Sequence, residues 1–187
     1  DDVTNIWNYA FRGTNISSLV LAPSVEIIGS NAFNDCSSLS GTLTLPEVLR
    51  YIGYYGFGTC GFTGNLILPN SLEYIGSHAF YDAGKFTGDL RIPDKVNTIY
   101  DDTFHMNKHY PDSFNGTLDL NNVSAIGSDA FNGTSFQGEL VIPEGIDIIP
   151  SNLFGWNQRG AKFSNMILPS TLKVISTQAF MCCGRLT

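Results

Sequence analysis

Apolar residues recur along this chain in a fixed order. A Val, Leu or Ile stands three positions before an Ile in eight successive segments: Val3/Ile6, Val25/Ile28, Leu49/Ile52, Leu72/Ile75, Val96/Ile99, Val123/Ile126, Ile146/Ile149 and Leu172/Ile175. A Phe follows each Ile by five residues, at Phe11, Phe33, Phe57, Phe80, Phe104, Phe131, Phe154 and Phe180. Upstream, an alternating apolar pair occurs seven times, as Leu19/Leu21, Leu43/Leu45, Leu66/Leu68, Leu90/Ile92, Leu118/Leu120, Leu140/Ile142 and Met166/Leu168. The unit is about 24 residues long, and a repeat of fixed period predicts a solenoid whose units bury their apolar sides against one another.

Each unit divides into predicted elements. The period of two in Leu66-Ile67-Leu68 predicts a strand. Pro46, Pro69, Pro93, Pro143 and Pro169 lack an N–H and close that strand. Gly41, Gly64, Gly88, Gly116 and Gly138 stand two residues before the pair, where a tight turn favours glycine. Two residues after the repeat Ile come Asn8, Ser30, Tyr54, Ser77, Asp101, Ser128, Ser151 and Thr177. All but Tyr54 are good N-cap types, which predicts a single helical turn carrying the Phe into the core. Gly29, Gly53, Gly76 and Gly127 directly follow the Ile, but Tyr100, Pro150 and Ser176 replace them elsewhere. Proline holds φ near about −65°, so this position needs close packing rather than a positive φ. Units stacked about 4.8 Å apart predict a rod roughly 35–40 Å long.

Charge narrows the partners. The 187 residues carry a net charge of −7, from carboxylates scattered along the chain. Nucleic acid and anionic membranes call for clustered Lys and Arg, which are missing from this sequence. No apolar run approaches the roughly 18–20 residues that cross a bilayer, and no signal peptide stands at Asp1. The chain opens inside one unit and stops after Phe180, so residues 1–187 read as one array of about eight units cut from a longer protein. Its terminal units are expected to fray.

The run from Leu66 to Pro93, LILPNSLEYIGSHAFYDAGKFTGDLRIP, resembles the BspA-like, or Treponema-type, leucine-rich repeats, and the resemblance extends over essentially the whole chain. It implies a leucine-rich-repeat solenoid with parallel β-strands stacked along one face and short helical or 3-10 turns. It further implies a secreted or surface-attached protein, most often bacterial, that adheres to host matrix proteins or other cells. No catalytic motif comes with the family, and neither an enzymatic activity nor a cofactor is expected. A spacer that projects another domain and a carbohydrate-recognition surface are the alternative readings. Local departures are Asn121 in place of the Pro, one residue fewer before Val123, and longer segments after Phe104 and Phe154.

Chemistry-bearing residues add little at this level. Cys36, Cys60 and Cys183 share one register with Thr14, Ala83, Asn107, Thr134 and Asn157, as expected of buried free thiols in a small-residue ladder. Cys36 and Cys60 are one repeat apart, near enough for a disulfide, but their side chains would point the same way. His105 and His109 stand four apart beside Asp101 and Asp102, but Pro111 limits a helix there and no metal site is assigned. No Gly-x-Ser-x-Gly elbow or phosphate-cradling loop occurs.

Surfaces carry the functional expectation. Val20, Thr44, Ile67, Arg91, Asp119, Val141 and Ile167 alternate with core positions and should face outward. Exposed apolar residues in such a column mark either a partly covered sheet or a recognition strip. A second column holds Ile27, Tyr51, Tyr74, Thr98, Ala125, Ile148 and Val174, in which Tyr51 and Tyr74 should stack. In the longer segments Tyr110, Trp156 and Arg159 are the further candidates. The binding set is therefore Tyr51, Tyr74, Ile67, Arg91, Tyr110, Trp156 and Arg159, and the expected partner is an extracellular protein, with a glycan as alternative.

Overall fold

The repeat units stack as a succession of parallel strands and turns in a computed structural model, which describes residues 2–107, 112–155 and 160–184. Segments at or just before the alternating apolar pairs form one strand face, in which Phe62–Asn65 pairs with Gly84–Thr87, Leu90–Arg91 with Leu118–Asp119, and Gln137–Val141 with Lys162–Ile167, whereas the expected strand at Leu66-Ile67-Leu68 begins and ends earlier, at Phe62–Asn65. Around the repeat Ile a second strand face forms. There Asn5–Ile6, Ile27–Ile28, Tyr51–Ile52 and Tyr74–Ile75 make a four-stranded parallel sheet in unit order. Thr98–Ile99 pairs with Ala125–Ile126, and Ile148–Ile149 with Val174–Ile175, in the same way. Between the faces the Pro carbonyls accept from the residue three ahead, as in Leu49 N–H to Pro46 O at 3.0 Å and Leu72 N–H to Pro69 O at 3.0 Å.

The third side of each unit is a ribbon of turns, and no helix occurs among the described residues. The residue three after the repeat Ile has a left-handed backbone in every unit: Tyr9, Asn31, Tyr55, His78, Asp102, Asp129, Asn152 and Gln178 lie at φ between 50° and 62°. A helix cannot pass through such a residue, so the expected helical turn gives way to consecutive β-turns. In one unit Ala32 N–H donates to Gly29 O and Asn34 N–H to Asn31 O. The N–H groups in between point along the rod: Asn31 donates to Tyr54 O, Phe33 to Gly56 O and Asp35 to Gly58 O. Every second amide thus ties a unit to its neighbour. Asn and Asp tolerate the left-handed region, which explains their frequency here as well as it explains N-caps.

Inside, the repeat Phe rings stack in a column. Phe33, Phe57, Phe80, Phe104, Phe131 and Phe154 are fully buried, and neighbouring rings are 5.3–5.7 Å apart with planes within 16°. Phe62, Phe86, Phe114, Phe136 and Phe163 form a second buried column. Its rings meet the first edge-on, at 78° for Phe57–Phe62, 86° for Phe104–Phe114 and 80° for Phe154–Phe163. Burial of each ring contributes roughly 1.5–3 kcal/mol, and an aromatic pair adds about 0.5–1.5 kcal/mol. Packing thins at both ends, where Phe11 is 40% and Ile175 51% exposed.

The cysteine ladder is free of disulfides. All four cysteines are free, with Cys36, Cys60 and Cys183 buried. Cys36 Sγ donates to Phe11 O at 3.0 Å and Cys60 Sγ to Phe33 O at 3.2 Å, while Thr134 Oγ1 donates to Phe131 O at 2.7 Å. The register therefore places a small donor against a carbonyl of the Phe column.

Candidate functional site

The second strand face carries a groove of about 520 Å³, lined by Trp7, Asn8, Glu26, Ile27, Gly29, Arg50, Tyr51, Glu73 and Tyr74. The parallel register puts Tyr51 directly opposite Tyr74, and their rings stack 4.6 Å apart with planes 6° from parallel. Tyr100 leans on Tyr74 at 5.5 Å. Ile27 holds the rung below Tyr51, and an aliphatic chain there fills less space than another tyrosine. Gly29 extends the gap. A Cβ on it would stand 2.6 Å from Asn8 N, so close packing of successive units excludes a side chain there. Trp7, 67% exposed, forms the far wall.

A charged edge runs beside the rings. Arg50 holds Glu73 with two hydrogen bonds, Nε to Oε1 at 3.3 Å and Nη2 to Oε2 at 3.0 Å, and Lys95 Nζ lies 3.4 Å from Glu73 Oε1. Those bonds hold the Glu73 carboxyl below its usual range and raise Arg50 in return. Burial raises the Tyr74 phenol, with Tyr51 and Tyr100 adding to the effect. The groove thus offers flat apolar rings, phenol hydroxyls and a fixed guanidinium–carboxylate pair.

The other expected residues lie elsewhere. Ile67 (73% exposed) and Arg91 belong to the first strand face, where Val20, Thr44, Asp119, Val141 and Ile167 are exposed as expected. Arg91 is occupied by Asp94 and by Asp119, the latter at 3.4 Å. Tyr110, Trp156, Arg159 and His109 lie outside the described residues. Sequence reading missed Trp7, Arg50, Glu73 and Glu26, although each sits beside the tyrosine column, and Arg50 and Glu73 directly precede Tyr51 and Tyr74.

Ser77, His78 and Asp102 have the look of a hydrolytic triad on the turn face. Ser77 Oγ is 2.7 Å from His78 Nδ1, and His78 Nε2 is 3.3 Å from Asp102 Oδ2. The Ser77 hydroxyl is also 2.8 Å from Asp101 O, a main-chain acceptor that competes with His78 Nδ1 for its single proton.

No helix among the described residues is long and apolar enough to cross a membrane. Residues 4–117 and 110–187 match the family described as BspA type leucine-rich repeat region, in six copies. No curated protein matches the sequence. Among solved structures, a leucine-rich repeat protein of T. pallidum superposes over 99% of this chain and 72% of its own, with a TM-score of 0.58 and 23% identity. A leucine-rich repeat protein from Bacteroides ovatus matches over 98% and 69% of the two chains (TM-score 0.42, 15% identity). For a leucine-rich cell surface protein from Faecalibacterium prausnitzii the figures are 100% and 63% (TM-score 0.44, 18% identity). With its repeats matched along nearly their whole length, the chain belongs to the BspA-type leucine-rich repeat family.

Proposed function

We propose that this chain is a non-enzymatic recognition module of a cell-surface or secreted protein, binding an extracellular protein ligand through the Trp7–Tyr51–Tyr74 groove. The observation that carries the reading is the groove itself: stacked exposed rings beside a bidentate Arg50–Glu73 pair. Aromatic and arginine side chains are the usual anchors of protein interfaces, because they bury large areas and keep a polar handle. Membership in the family supports a binding role, since repeat solenoids expose long surfaces suited to it. Adhesion to host matrix or to another cell is the specific form proposed. The test is saturable binding of the purified chain to immobilised matrix proteins, run beside a glycan panel. Tyr51→Ala with Tyr74→Ala should abolish protein binding, whereas Ile67→Ala should leave it unchanged. Binding confined to glycans would replace the protein ligand with a sugar, and no binding by folded protein would favour a spacer.

A further inference from the structure

The turn face holds a cluster that the groove does not use. His78, Asp102 and Asp129 occupy the same left-handed corner in three successive units, at φ 59°, 56° and 58°, and His105 lies one turn beyond Asp102. Asp102 Oδ1 is 2.6 Å from His105 Nδ1, and Asp102 Oδ2 is 3.3 Å from His78 Nε2. One ligand atom each from Asp102, His105 and Asp129 lies within 4.8 Å of the others. Neither carboxylate pairs with Lys or Arg among the described residues, in contrast to Asp35, Glu73, Asp94, Asp112, Asp119 and Asp147. These two half-buried carboxylates are held instead by histidine and amide groups: His105 and His78 face Asp102, and Asn132 Nδ2 donates to Asp129 Oδ1 at 2.7 Å.

The His78 ring is held in place from both sides: Ser77 Oγ lies 2.7 Å from Nδ1 and 2.8 Å from Asp101 O, and Nε2 faces Asp102 Oδ2 at 3.3 Å. Beyond Asp129, the Asn152 amide reaches Oδ2 with Nδ2 at 3.4 Å, while its own Oδ1 is buried without a hydrogen-bond partner. That oxygen would accept from a water bound to a cation.

We propose that Asp102, His105 and Asp129, with His78 Nε2 directed at the same Asp102 carboxylate, form a binding site for a divalent transition cation of the zinc class. Imidazole nitrogens with carboxylate oxygens suit Zn²⁺ and Co²⁺ rather than Ca²⁺, which takes oxygen alone. The Ser77 hydroxyl, 2.7 Å from His78 Nδ1, serves as an outer partner that orients the His78 ring beside Asp102. The His105–Asp102 hydrogen bond opens on binding, and its proton is released as the cation takes its place. The site ties the fourth, fifth and sixth units together across the turn face.

The test is titration of the chelator-treated chain with ZnCl₂ by calorimetry, and with CoCl₂ by visible absorption. One equivalent should bind, with ligand-field bands but no thiolate charge-transfer band. Asp129→Asn and Asp102→Asn keep a residue that tolerates the left-handed corner, and His105→Gln keeps the size. Each should weaken binding roughly 10–100-fold, while Cys182→Ser changes nothing. Circular dichroism of every variant separates loss of the site from loss of the fold. Absence of saturable binding overturns the proposal, as does equal affinity in folded Asp102 and Asp129 variants. Loss confined to Cys182→Ser or His109→Gln overturns it too.

Discussion

Phe114 stands edge-on to Phe104, with ring centroids 6.1 Å apart and planes at 86°. Phe104 itself lies flat on Phe131, at 5.6 Å and 1°. The core is therefore two columns of rings that support each other at right angles, and each ring is held by units on both sides. Offset and edge-to-face contacts suit the aromatic quadrupole, so the arrangement gains from orientation as well as from burial.

Phe104→Ala should cost about 3–5 kcal/mol, because the units above and below limit collapse into the cavity. Phe114→Ala should cost a similar amount despite lying outside the repeat's most regular column. Phe11→Ala, at a ring already 40% exposed, should cost much less. Urea denaturation of the three variants checks the order. Equal losses at Phe11 and Phe104 would contradict an interior gradient along the rod.

These two columns also mark what the sequence reveals. The Phe104 column is legible because five residues always separate it from the repeat Ile. Phe114 is not, because its column is anchored downstream: Phe62, Phe86, Phe114 and Phe136 stand four before Leu66, Leu90, Leu118 and Leu140, but at irregular distances from the first column. The turn ribbon departs from the expected helical turn for a chemical reason. Asn, Asp and Ser satisfy an N-cap and a turn equally well, and only the backbone distinguishes them. Tyr51 and Tyr74 were legible as neighbours through their register. His78, Asp102 and Asp129 share a register too, three after the repeat Ile, but an N-cap reading of that stretch sends their side chains elsewhere.

Asn31 tests the ribbon directly. Its φ of 56° costs an ordinary side chain roughly 1–2 kcal/mol, and a β-branched one is the worst fit. Asn31→Val should therefore destabilise by at least that amount, while Asn31→Gly keeps the backbone and loses only the hydrogen bond that Asn34 Nδ2 donates to Asn31 Oδ1, so it should cost less. Thermal unfolding of both variants measures the difference. A helical turn at this position would reverse the order, since glycine is the poorer helix former.

Alkaline pH should weaken the fold through its thiols. Burial pushes Cys60 well up, with Cys36 adding to the effect, and it pushes Cys183 up to about 11 from 9.0. The folded chain thus keeps protons that the unfolded chain loses, so stability is complete below about pH 9 and falls as pH rises toward the folded values. Denaturation midpoints measured from pH 8 to 11 should fall, and Cys60→Ala should flatten the decline. In the folded state Cys182, which is exposed, should be the first thiol to react with an alkylating reagent.

Ile27→Trp tests whether the groove's empty rung is what a ligand uses. Ile27 pairs with Tyr51 on one side and Asn5 on the other, and its side chain is half-buried at the edge of the groove. An indole there would extend the Tyr51–Tyr74 stack toward Trp7 and occupy the gap, while leaving the buried Ile28 beside it untouched. Stability should hold or rise slightly, because a ring is added to an existing aromatic stack. Affinity for any protein ligand of the groove should fall at least tenfold, since a filled cleft excludes its anchor residue. Tyr51→Ala acts in the opposite sense, enlarging the gap and removing the ring. If both variants lose binding while folded, the ligand inserts beside the Tyr51 ring; if Ile27→Trp binds as the parent does, it rests instead on the ring edges and the Arg50–Glu73 pair.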